Sequence, residues 1–309
     1  MTALEQHLDQ YLRLRRTLGH KLADAHRLLP RFVAYLDEQG AEYVTIEAAL
    51  AWSLAPVVPV GSVVPADRMM LVRGFARYLS GIDPRTEVPP AGAIRHPKHW
   101  RRPFIYTDTD VLAMIEQARA LIPQPLRSAT YQTLIGLLAT TGLRVGEALR
   151  LDRGDLDRAD GVLRIRESKF GKSRLVPLDP SAVDALERYD HTRRRLFPDP
   201  STDSLFVSLR GTRVIYECVW STHRSLCEHA GVGAGSSVIP RIHDHRHSFA
   251  VNTLLGWYRD GVDVPSRISW LSAYLGHREP RYTYHYLSAA PDLLAHAARL
   301  LNDAQAVRP

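Results

Sequence analysis

The sequence has few cysteines, few lysines and no long apolar run. Cys218 and Cys227 are its only cysteines, so a disulfide framework is not expected and a reducing cytoplasm is the natural compartment. No apolar stretch approaches the roughly 20 residues that a membrane span requires, and the charged N-terminus lacks the apolar core of a signal peptide. No internal repeat or low-complexity segment is evident. A disulfide-stapled, membrane-spanning or repeat-built protein is therefore not expected.

What the chain does have is length, apolar content and positive charge. Its 309 residues, 45% of them hydrophobic, predict a globular protein with two domains. The formal net charge is +7, and only four of the 40 basic residues are lysines. Arginine suits phosphate contact better than lysine does, because its planar guanidinium can donate two parallel hydrogen bonds. The charge therefore favours a polyanionic partner such as nucleic acid.

Helical periodicity dominates residues 1–82. The first helix carries an apolar stripe made of Leu8, Tyr11, Leu12 and Leu18. Thr45 is a candidate N-cap for the helix IEAALAWSL, because its hydroxyl can accept a hydrogen bond from a backbone N–H of the first turn. Gly40 and Gly81 follow the second and fourth helices as stop signals. The pattern predicts a helical N-terminal domain.

The segment 83–103 is rich in proline and basic towards its end. Its prolines are Pro84, Pro89, Pro90, Pro97 and Pro103. Because proline fixes the backbone and interrupts helices, the segment predicts an extended linker between two domains. The basic residues at its end are Arg95, Lys98, Arg101 and Arg102. They are candidate DNA-backbone contacts, and a solvated linker explains them equally well.

Residues 104–309 predict a second domain of the α+β type. Asp108 or Thr109 is the expected cap of its first helix. GVLRIRES alternates apolar and basic residues, FGK turns and SRLVPL returns, which predicts a β-hairpin. The remaining segments are mostly helical. The predicted fold class of the whole chain is therefore mainly α with a small β-hairpin or sheet.

The stretch HDHRHSFA at 243–250 places three histidines around one arginine. On a strand His243, His245 and His247 share a face, and on a helix His243 and His247 do, so a zinc or copper site is one interpretation. Arg246 opposes it, because a guanidinium keeps its proton and repels a cation. The second interpretation is an anion site, where guanidinium and imidazoles donate to a phosphate. The third is a helix start with solvated imidazoles.

Three further segments carry groups that could join this stretch. TGLRVGEALRL contains Arg144 and Glu147, and the hairpin tip contains Lys169. LGHREPRYTYHYL contains His277 and three tyrosines. Each has an ordinary structural explanation by itself, such as an i,i+3 ion pair between Arg144 and Glu147, a solvated charge at Lys169 or packed aromatic rings. Only their combination and order are informative.

In this order the segments resemble the tyrosine recombinase (phage integrase) family, over essentially all of residues 104–290. TGLRVGEALRL resembles the first arginine box of the family and HDHRHSFA its H-x-x-R box. LGH, with a tyrosine nine residues after its histidine, resembles the third box. The resemblance implies a core-binding (SAM-like) helical domain over 1–82, the linker 83–103, and a catalytic domain over 104–309. That domain would end in the tyrosine and a packing helix.

The sequence departs from the family pattern at two places. His245 stands where family members often have leucine or another apolar residue. The segment before the tyrosines carries Arg278, Glu279 and Pro280, where family members often have small polar residues. The departures bear on the local path of the chain near the tyrosines.

The catalytic set of the family falls on Arg144, Lys169, His243, Arg246, His277 and Tyr286. The resemblance implies that Tyr286 attacks a DNA phosphodiester to form a 3′-phosphotyrosyl link and a free 5′-hydroxyl, and that Lys169 protonates the leaving oxygen. Lys172, a further candidate DNA contact, is the alternative acid, and Tyr282 is the alternative nucleophile. The arginines and histidines would donate to the phosphate, with Glu147 orienting the first arginine. No metal, ATP or other cofactor is expected.

The implied function is site-specific recombination in the integration, excision or transposition of DNA. Strand exchange between two duplexes uses four active sites. The implied partners are therefore double-stranded DNA with inverted half-sites and a tetramer of protomers, with a helper protein or related recombinase as a further candidate and no membrane. The expected location is the bacterial cytoplasm, on the nucleoid when DNA is bound. The alternatives are a type IB topoisomerase-like enzyme, a catalytically silent DNA-binding protein and a metal hydrolase built on the histidines.

Overall fold

The computed structural model describes most of the chain. The described residues are 2–20, 22–95, 102–166, 173–198, 202–277, 279, 281, 283, 284 and 286. The chain forms two compact units, Met1–Trp100 and Arg101–Pro309, and each has a hydrophobic core of its own. No helix in the described ranges is long and apolar enough to cross a membrane.

The first unit contains four helices in its described part. They are α1 (Ala3–Thr17), α2 (Ala23–Glu38), α3 (Ile46–Leu54) and α4 (Val64–Leu79). The cap predicted for α3 is confirmed, because the Thr45 hydroxyl accepts a hydrogen bond from the N–H of Ala48 at 3.1 Å. The apolar stripe predicted for α1 is buried except at Leu18. Leu18 is 64% exposed because the helix ends one residue before it.

The first half of the predicted linker packs on this unit. The N–H of Glu87 donates to the carbonyl of Val44 at 2.8 Å, and Arg73 Nε donates to the carbonyl of Pro89 at 2.8 Å. The side chains that pack against the core are Ala93 and Ile94. Main-chain hydrogen bonds, which proline content does not reveal, therefore attach the first part of 83–103 to the helices.

The second unit combines helices with a small sheet. Its described helices are α5 (Asp108–Leu121), α6 (Pro125–Thr141), α7 (Val145–Arg150), α8 (Pro180–Leu196), α9 (Tyr216–His229), α10 (Asp244–Arg259) and α11 (Val264–Leu275). The strands β1 (Leu156–Asp157), β2 (Val162–Ile165) and β3 (Arg174–Pro177) form an antiparallel sheet in the order β1–β2–β3. The predicted hairpin is β2 with β3 and is confirmed. The sequence does not predict β1, because two residues are too few to show alternation.

The cap of α5 lies one residue earlier than either predicted position, Asp108 or Thr109. The Thr107 hydroxyl accepts from the N–H of Asp110 at 3.1 Å, and the Asp110 carboxylate accepts from the N–H of Thr107 at 2.8 Å. This reciprocal capping box satisfies two backbone donors at once, which favours Thr107 over its neighbours.

Two helices of the second unit end at glycines with a left-handed backbone. Gly142 follows α6 with φ 59°, and Gly276 follows α11 with φ 68°. Residues with a side chain rarely adopt this conformation. A Cβ at position 142 would also lie 2.6 Å from Cδ1 of Phe249 in α10. The ends of α6 and α10 can therefore approach this closely only because residue 142 is glycine.

Gly142→Ala should lower the free energy of unfolding by about 1–3 kcal/mol, since the backbone would be strained and the Phe249 ring would have to move. Urea unfolding measures the change. Gly154→Ala is the control, because no atom lies within 4 Å of its Cβ position and its φ lies outside the left-handed region; it should change stability by no more than about 0.5 kcal/mol. Equal stability of the two variants would contradict this account of Gly142.

Candidate active site

Arg144 and Glu147 form an ion pair at the start of α7. The N–H of Arg144 donates to Glu147 Oε2 at 3.1 Å, and Arg144 Nη1 donates to Glu147 Oε1 at 2.8 Å. The carboxylate is almost completely buried, whereas a quarter of the Arg144 side chain is exposed. Arg144 Nη2 lies 3.4 Å from the carbonyl of Gly276, to which it donates. The guanidinium is thus fixed from one side and remains open to a substrate.

A second arginine, Arg174, holds the same carboxylate and was not among the predicted site residues. Its Nη1 and Nη2 donate to the two oxygens of Glu147 at 3.1 and 2.9 Å. Its Nε donates to the carbonyl of Tyr274 at 2.7 Å. Arg174 is the first residue of β3, and the pattern SRLVPL predicts only a strand there. No motif in the sequence marks this pairing, because it joins residues far apart in the chain.

Glu147 is a fixed negative charge between these two arginines. Burial raises the pKa of its carboxyl, but the hydrogen bonds and positive charges of Arg174 and Arg144 outweigh burial and lower the pKa to about 2. The carboxylate is therefore ionised throughout the physiological pH range, and it partly neutralises two guanidiniums that would otherwise repel each other.

Arg246 is almost fully buried and is held by main-chain oxygens. Nη1 donates to the carbonyl of Gly142 at 2.8 Å, and Nη2 donates to the carbonyl of Leu275 at 2.5 Å. These carbonyls lie at the C-terminal ends of α6 and α11, where helix dipoles favour a cation. Burial, and then the charge of Arg144, lowers the pKa of Arg246 to about 10. The guanidinium remains charged at neutral pH, in surroundings that favour an approaching anion.

The three histidines of HDHRHSFA have different surroundings. His243 is exposed and directly precedes α10, with its ring 5.2 Å from that of His247. His245 is buried, stacks on Tyr106 at 4.1 Å and has its Nε2 3.2 Å from Nε2 of His223. Partial loss of solvent, and then the charge of Arg246, lowers the pKa of His243. His243 therefore belongs electrostatically with the arginines, whereas His245 is a core residue.

These imidazoles do not gather as a metal site would require. Two of them contact each other near Arg246, and the third contacts a different set of side chains. Within the described ranges no group of three His, Cys, Asp or Glu side chains is arranged to hold a metal ion.

His277 and Tyr286 complete the group of residues around the two arginines. The His277 ring lies 5.8 Å from the Tyr286 ring, and Nδ1 of His277 is 2.8 Å from Oγ1 of Thr283. Burial, and then the charges of Arg246 and Arg144, lowers the pKa of His277 to about 4. Its imidazole is therefore neutral at pH 7.

The tyrosines of this segment differ in exposure. Tyr286 is only 4% exposed and its ring lies 5.3 Å from that of His247, whereas Tyr284 is 49% exposed. The rival tyrosine, Tyr282, lies outside the described residues. Of the two tyrosines that can be compared, only Tyr286 contacts the histidines of the site.

The structure thus brings together five of the predicted catalytic residues and their supporting carboxylate. They are Arg144, His243, Arg246, His277, Tyr286 and Glu147. The remaining predicted catalytic residue, Lys169, and the predicted DNA contacts Lys98, Arg101 and Lys172 lie outside the described residues, as does the segment 287–309. Arg95 and Arg102 are both exposed.

Comparison with known proteins identifies the family. The family model described as "Phage integrase family" matches residues 107–292. The protein y4rB of Sinorhizobium fredii, which carries an integrase/recombinase name, is 38% identical over 307 residues, covering 97% of this chain and 98% of that protein. The chain belongs to the phage integrase family. The tyrosine recombinase XerD of Mycobacterium leprae is 30% identical over 284 residues, covering 85% of this chain and 86% of XerD.

Solved structures of integrases and recombinases share the fold. The integrase of transposon Tn1549 aligns with a TM-score of 0.64 at 16% identity, covering 96% of this chain and 98% of that one. XerA recombinase aligns with a TM-score of 0.52 at 21% identity, covering 98% and 100%. The predicted fold class is therefore confirmed. The prediction of a DNA strand-cleaving and rejoining enzyme of the tyrosine recombinase type is confirmed by the family and its relatives.

Glu147→Gln should lower the free energy of unfolding by about 3 kcal/mol at neutral pH. The reason is that the two arginines stabilise the charged carboxylate of Glu147 far more than a neutral side chain at this position. The pKa of Glu147 is about 2 in the fold and 4.5 in its absence. The carboxylate therefore stabilises the fold above pH 4.5, and this contribution is lost as the pH falls towards 2.

Urea unfolding of both proteins checks this expectation. The difference in unfolding free energy between wild type and Glu147→Gln should shrink between about pH 5 and pH 3. Glu187→Gln is the control, because Glu187 is half exposed and lies 3.7 Å from Arg158; its effect should stay below about 0.5 kcal/mol. A difference that stayed constant over this range would show that the charge of Glu147 does not carry the effect.

Proposed function

We propose that this enzyme is a site-specific recombinase that binds inverted half-sites in duplex DNA, assembles as a tetramer and cleaves each strand with Tyr286. Structures with this fold include a lambda integrase tetramer bound to a Holliday junction and XerH bound to a palindromic difH substrate. Those assemblies support a tetramer on paired DNA here. Integration, excision and transposition all use this strand exchange, and a helper protein or related recombinase is a further proposed partner. Sinorhizobium fredii and Mycobacterium leprae, the sources of two similar proteins, are bacteria, which supports action on a bacterial nucleoid.

The accumulation of positive charge around Tyr286 carries this proposal. Burial is the largest cause of the lowered pKa of His277, and the charges of Arg246 and Arg144 come next. The pKa of His243 is likewise lowered first by burial and then by the charge of Arg246. Glu147 lies beside Arg144 but is shared with Arg174. A phosphodiester placed among these groups would relieve their mutual repulsion. The site therefore favours a phosphate as its ligand.

The proposed reaction follows from these positions. Arg144 and Arg246 donate to the two non-bridging oxygens and stabilise the charge that builds in the transition state. A phenol must lose its proton when it attacks phosphorus, so Tyr286 needs a group that accepts the proton. The proposal assigns this role to the neutral imidazole of His277, whose ring lies 5.8 Å from the Tyr286 ring and whose Nδ1 lies 2.8 Å from Oγ1 of Thr283. His243 adds a donor to the phosphate.

The tyrosine oxygen displaces the 5′-oxygen and forms a 3′-phosphotyrosyl bond. Lys169 protonates the departing oxygen in this proposal, with Lys172 as its rival. The energy of the broken phosphodiester is kept in the new ester, so the strand can be resealed by a 5′-hydroxyl in the reverse reaction without ATP. Resealing to a different 5′-hydroxyl exchanges strands.

DNA contacts beyond the reacting phosphate are proposed for Arg95, Lys98, Arg101, Arg102 and Lys172. Arg95 and Arg102 are exposed, as backbone contacts require. Such contacts supply affinity that depends on salt concentration and carries no sequence information.

The nucleophile can be identified with a nicked suicide substrate, which traps the covalent DNA adduct. Peptide mapping should place the adduct on Tyr286, because its phenol alone among the two described tyrosines of the segment contacts the site. Tyr286→Phe should bind DNA and form no adduct. Tyr284→Phe is the matched control and should form it at the wild-type rate. An adduct that persists in Tyr286→Phe and disappears in Tyr282→Phe would transfer the role to Tyr282.

The general acid can be identified by changing the leaving group. Lys169→Ala should cleave normal DNA slowly but recover on a substrate whose bridging 5′-oxygen is sulfur, since a thiolate leaves without a proton. Arg144→Ala should be slow on both substrates, by about a hundredfold or more, because it acts on the non-bridging oxygens. Recovery of Lys172→Ala in place of Lys169→Ala would move the role three residues along the hairpin. Recovery of neither variant would remove both lysines from this role.

A further inference from the structure

A buried polar cluster that the proposed chemistry does not use lies against the start of α10. Its members are Tyr106, His223 and His245, each 3% exposed or less. Nε2 of His223 lies 3.2 Å from Nε2 of His245 and 3.3 Å from the hydroxyl of Tyr106. The rings of Tyr106 and His245 are stacked with their planes 8° apart. Cluster and site share α10, because His245 lies between His243 and Arg246 in the chain.

Tyr106 contacts α10 and the segment just before it at three separate points. Its backbone N–H donates to Oγ of Ser248 at 2.8 Å, its hydroxyl donates to the carbonyl of Arg241 at 3.1 Å, and its ring covers His245. Arg241 in turn donates to Asp244 through Nη2 at 3.0 Å. The first turn of α10 is therefore held at Asp244 by Arg241 and at His245 by Tyr106 and His223, and Tyr106 also holds Arg241 before the helix and Ser248 in its second turn.

Burying polar imidazole rings costs free energy, so a compensating role for this cluster is expected. Burial lowers the pKa of His223 to about 4 and that of His245 well below its usual value, so both are neutral at pH 7. Two neutral rings whose Nε2 atoms face each other can bond only if one carries the proton and the other accepts it. An apolar residue at 245 would avoid this cost and fill the space. It would not define the rotation of the helix, whereas a hydrogen bond requires one geometry.

We propose that Tyr106, His223 and His245 are positioning residues, which fix the first turn of α10 so that Arg246 and His243 meet the DNA phosphate at the correct distance. The inference rests on the proposed function. Arg246 reaches Gly142 and Leu275 on two other helix ends, so a small rotation of α10 changes both of its hydrogen bonds. A displacement of about 1 Å can slow a reaction by two orders of magnitude.

The test compares two tyrosines that lose the same atom. Tyr106→Phe removes a buried hydroxyl with partners Arg241 and His223. Tyr189→Phe removes a buried hydroxyl with partners Thr130 and Val207, and none of these lies on α10. Both variants are measured for DNA affinity, thermal unfolding and the single-turnover rate of adduct formation on a nicked suicide substrate.

Tyr106→Phe should cleave at least about tenfold more slowly than wild type at saturating DNA, because Arg246 and His243 would be misplaced. Its DNA affinity should be unchanged. Tyr189→Phe should cleave at the wild-type rate even if its melting temperature falls as far. Wild-type cleavage by Tyr106→Phe, or equal slowing in both variants, would overturn the proposal. Failure of the wild-type protein to form any adduct would instead overturn the proposed function.

A second comparison tests whether the cluster acts as one unit. His245→Leu replaces the imidazole with an apolar side chain of similar size and should also slow cleavage at least about tenfold. The double variant Tyr106→Phe/His245→Leu should then be no slower than the slower single variant, because each change disrupts the same network. If the fold-reductions in cleavage rate of the two single variants multiplied in the double variant, the two residues would act independently, which would contradict a shared positioning role.

Discussion

One buried carboxylate holds the positively charged centre of this enzyme together. Glu147 accepts hydrogen bonds from Arg144 at the start of α7 and from Arg174 at the start of β3. Without it, two like charges would face each other in a partly dry interior. Arg174 also donates to the carbonyl of Tyr274 near the end of α11. Glu147 and Arg174 thus connect α7, β3 and the end of α11, and the position of Arg144 depends on its ion pair with Glu147.

Elements governed by neighbouring residues could be predicted from the sequence, and those governed by distant contacts could not. Thr45 caps α3 because the residues needed for a cap are adjacent in the chain, and alternation alone reveals the hairpin of β2 and β3. The cap of α5 shows the limit of prediction from neighbouring residues. Thr107, Asp108 and Thr109 are all capping residues, and the choice depends on which one Asp110 can reach. Likewise, proline content indicates a linker but not the hydrogen bonds that attach its first half to the helices.

The site divides in the same way. Motif spacing identifies Arg144, Arg246 and Tyr286, which would touch the substrate, because their order in the chain is part of the family pattern. It does not identify Arg174 or Thr283, whose partners are set only by the fold. His245 lies inside the same motif but belongs to the core, at a position where family members often have an apolar residue. Sequence patterns therefore predict the candidate catalytic residues better than the residues that hold them in place.

The way Arg246 is held affects how this protein can diverge. Its acceptors are the carbonyl oxygens of Gly142 and Leu275. Every amino acid carries such an oxygen, so replacing the side chain of residue 275 leaves the acceptor in place, and only residue 142 is constrained to be glycine. An arginine supported in this manner does not require a second residue to change with it. The side chains around the guanidinium can therefore change during evolution while Arg246 keeps its hydrogen bonds to these two carbonyls.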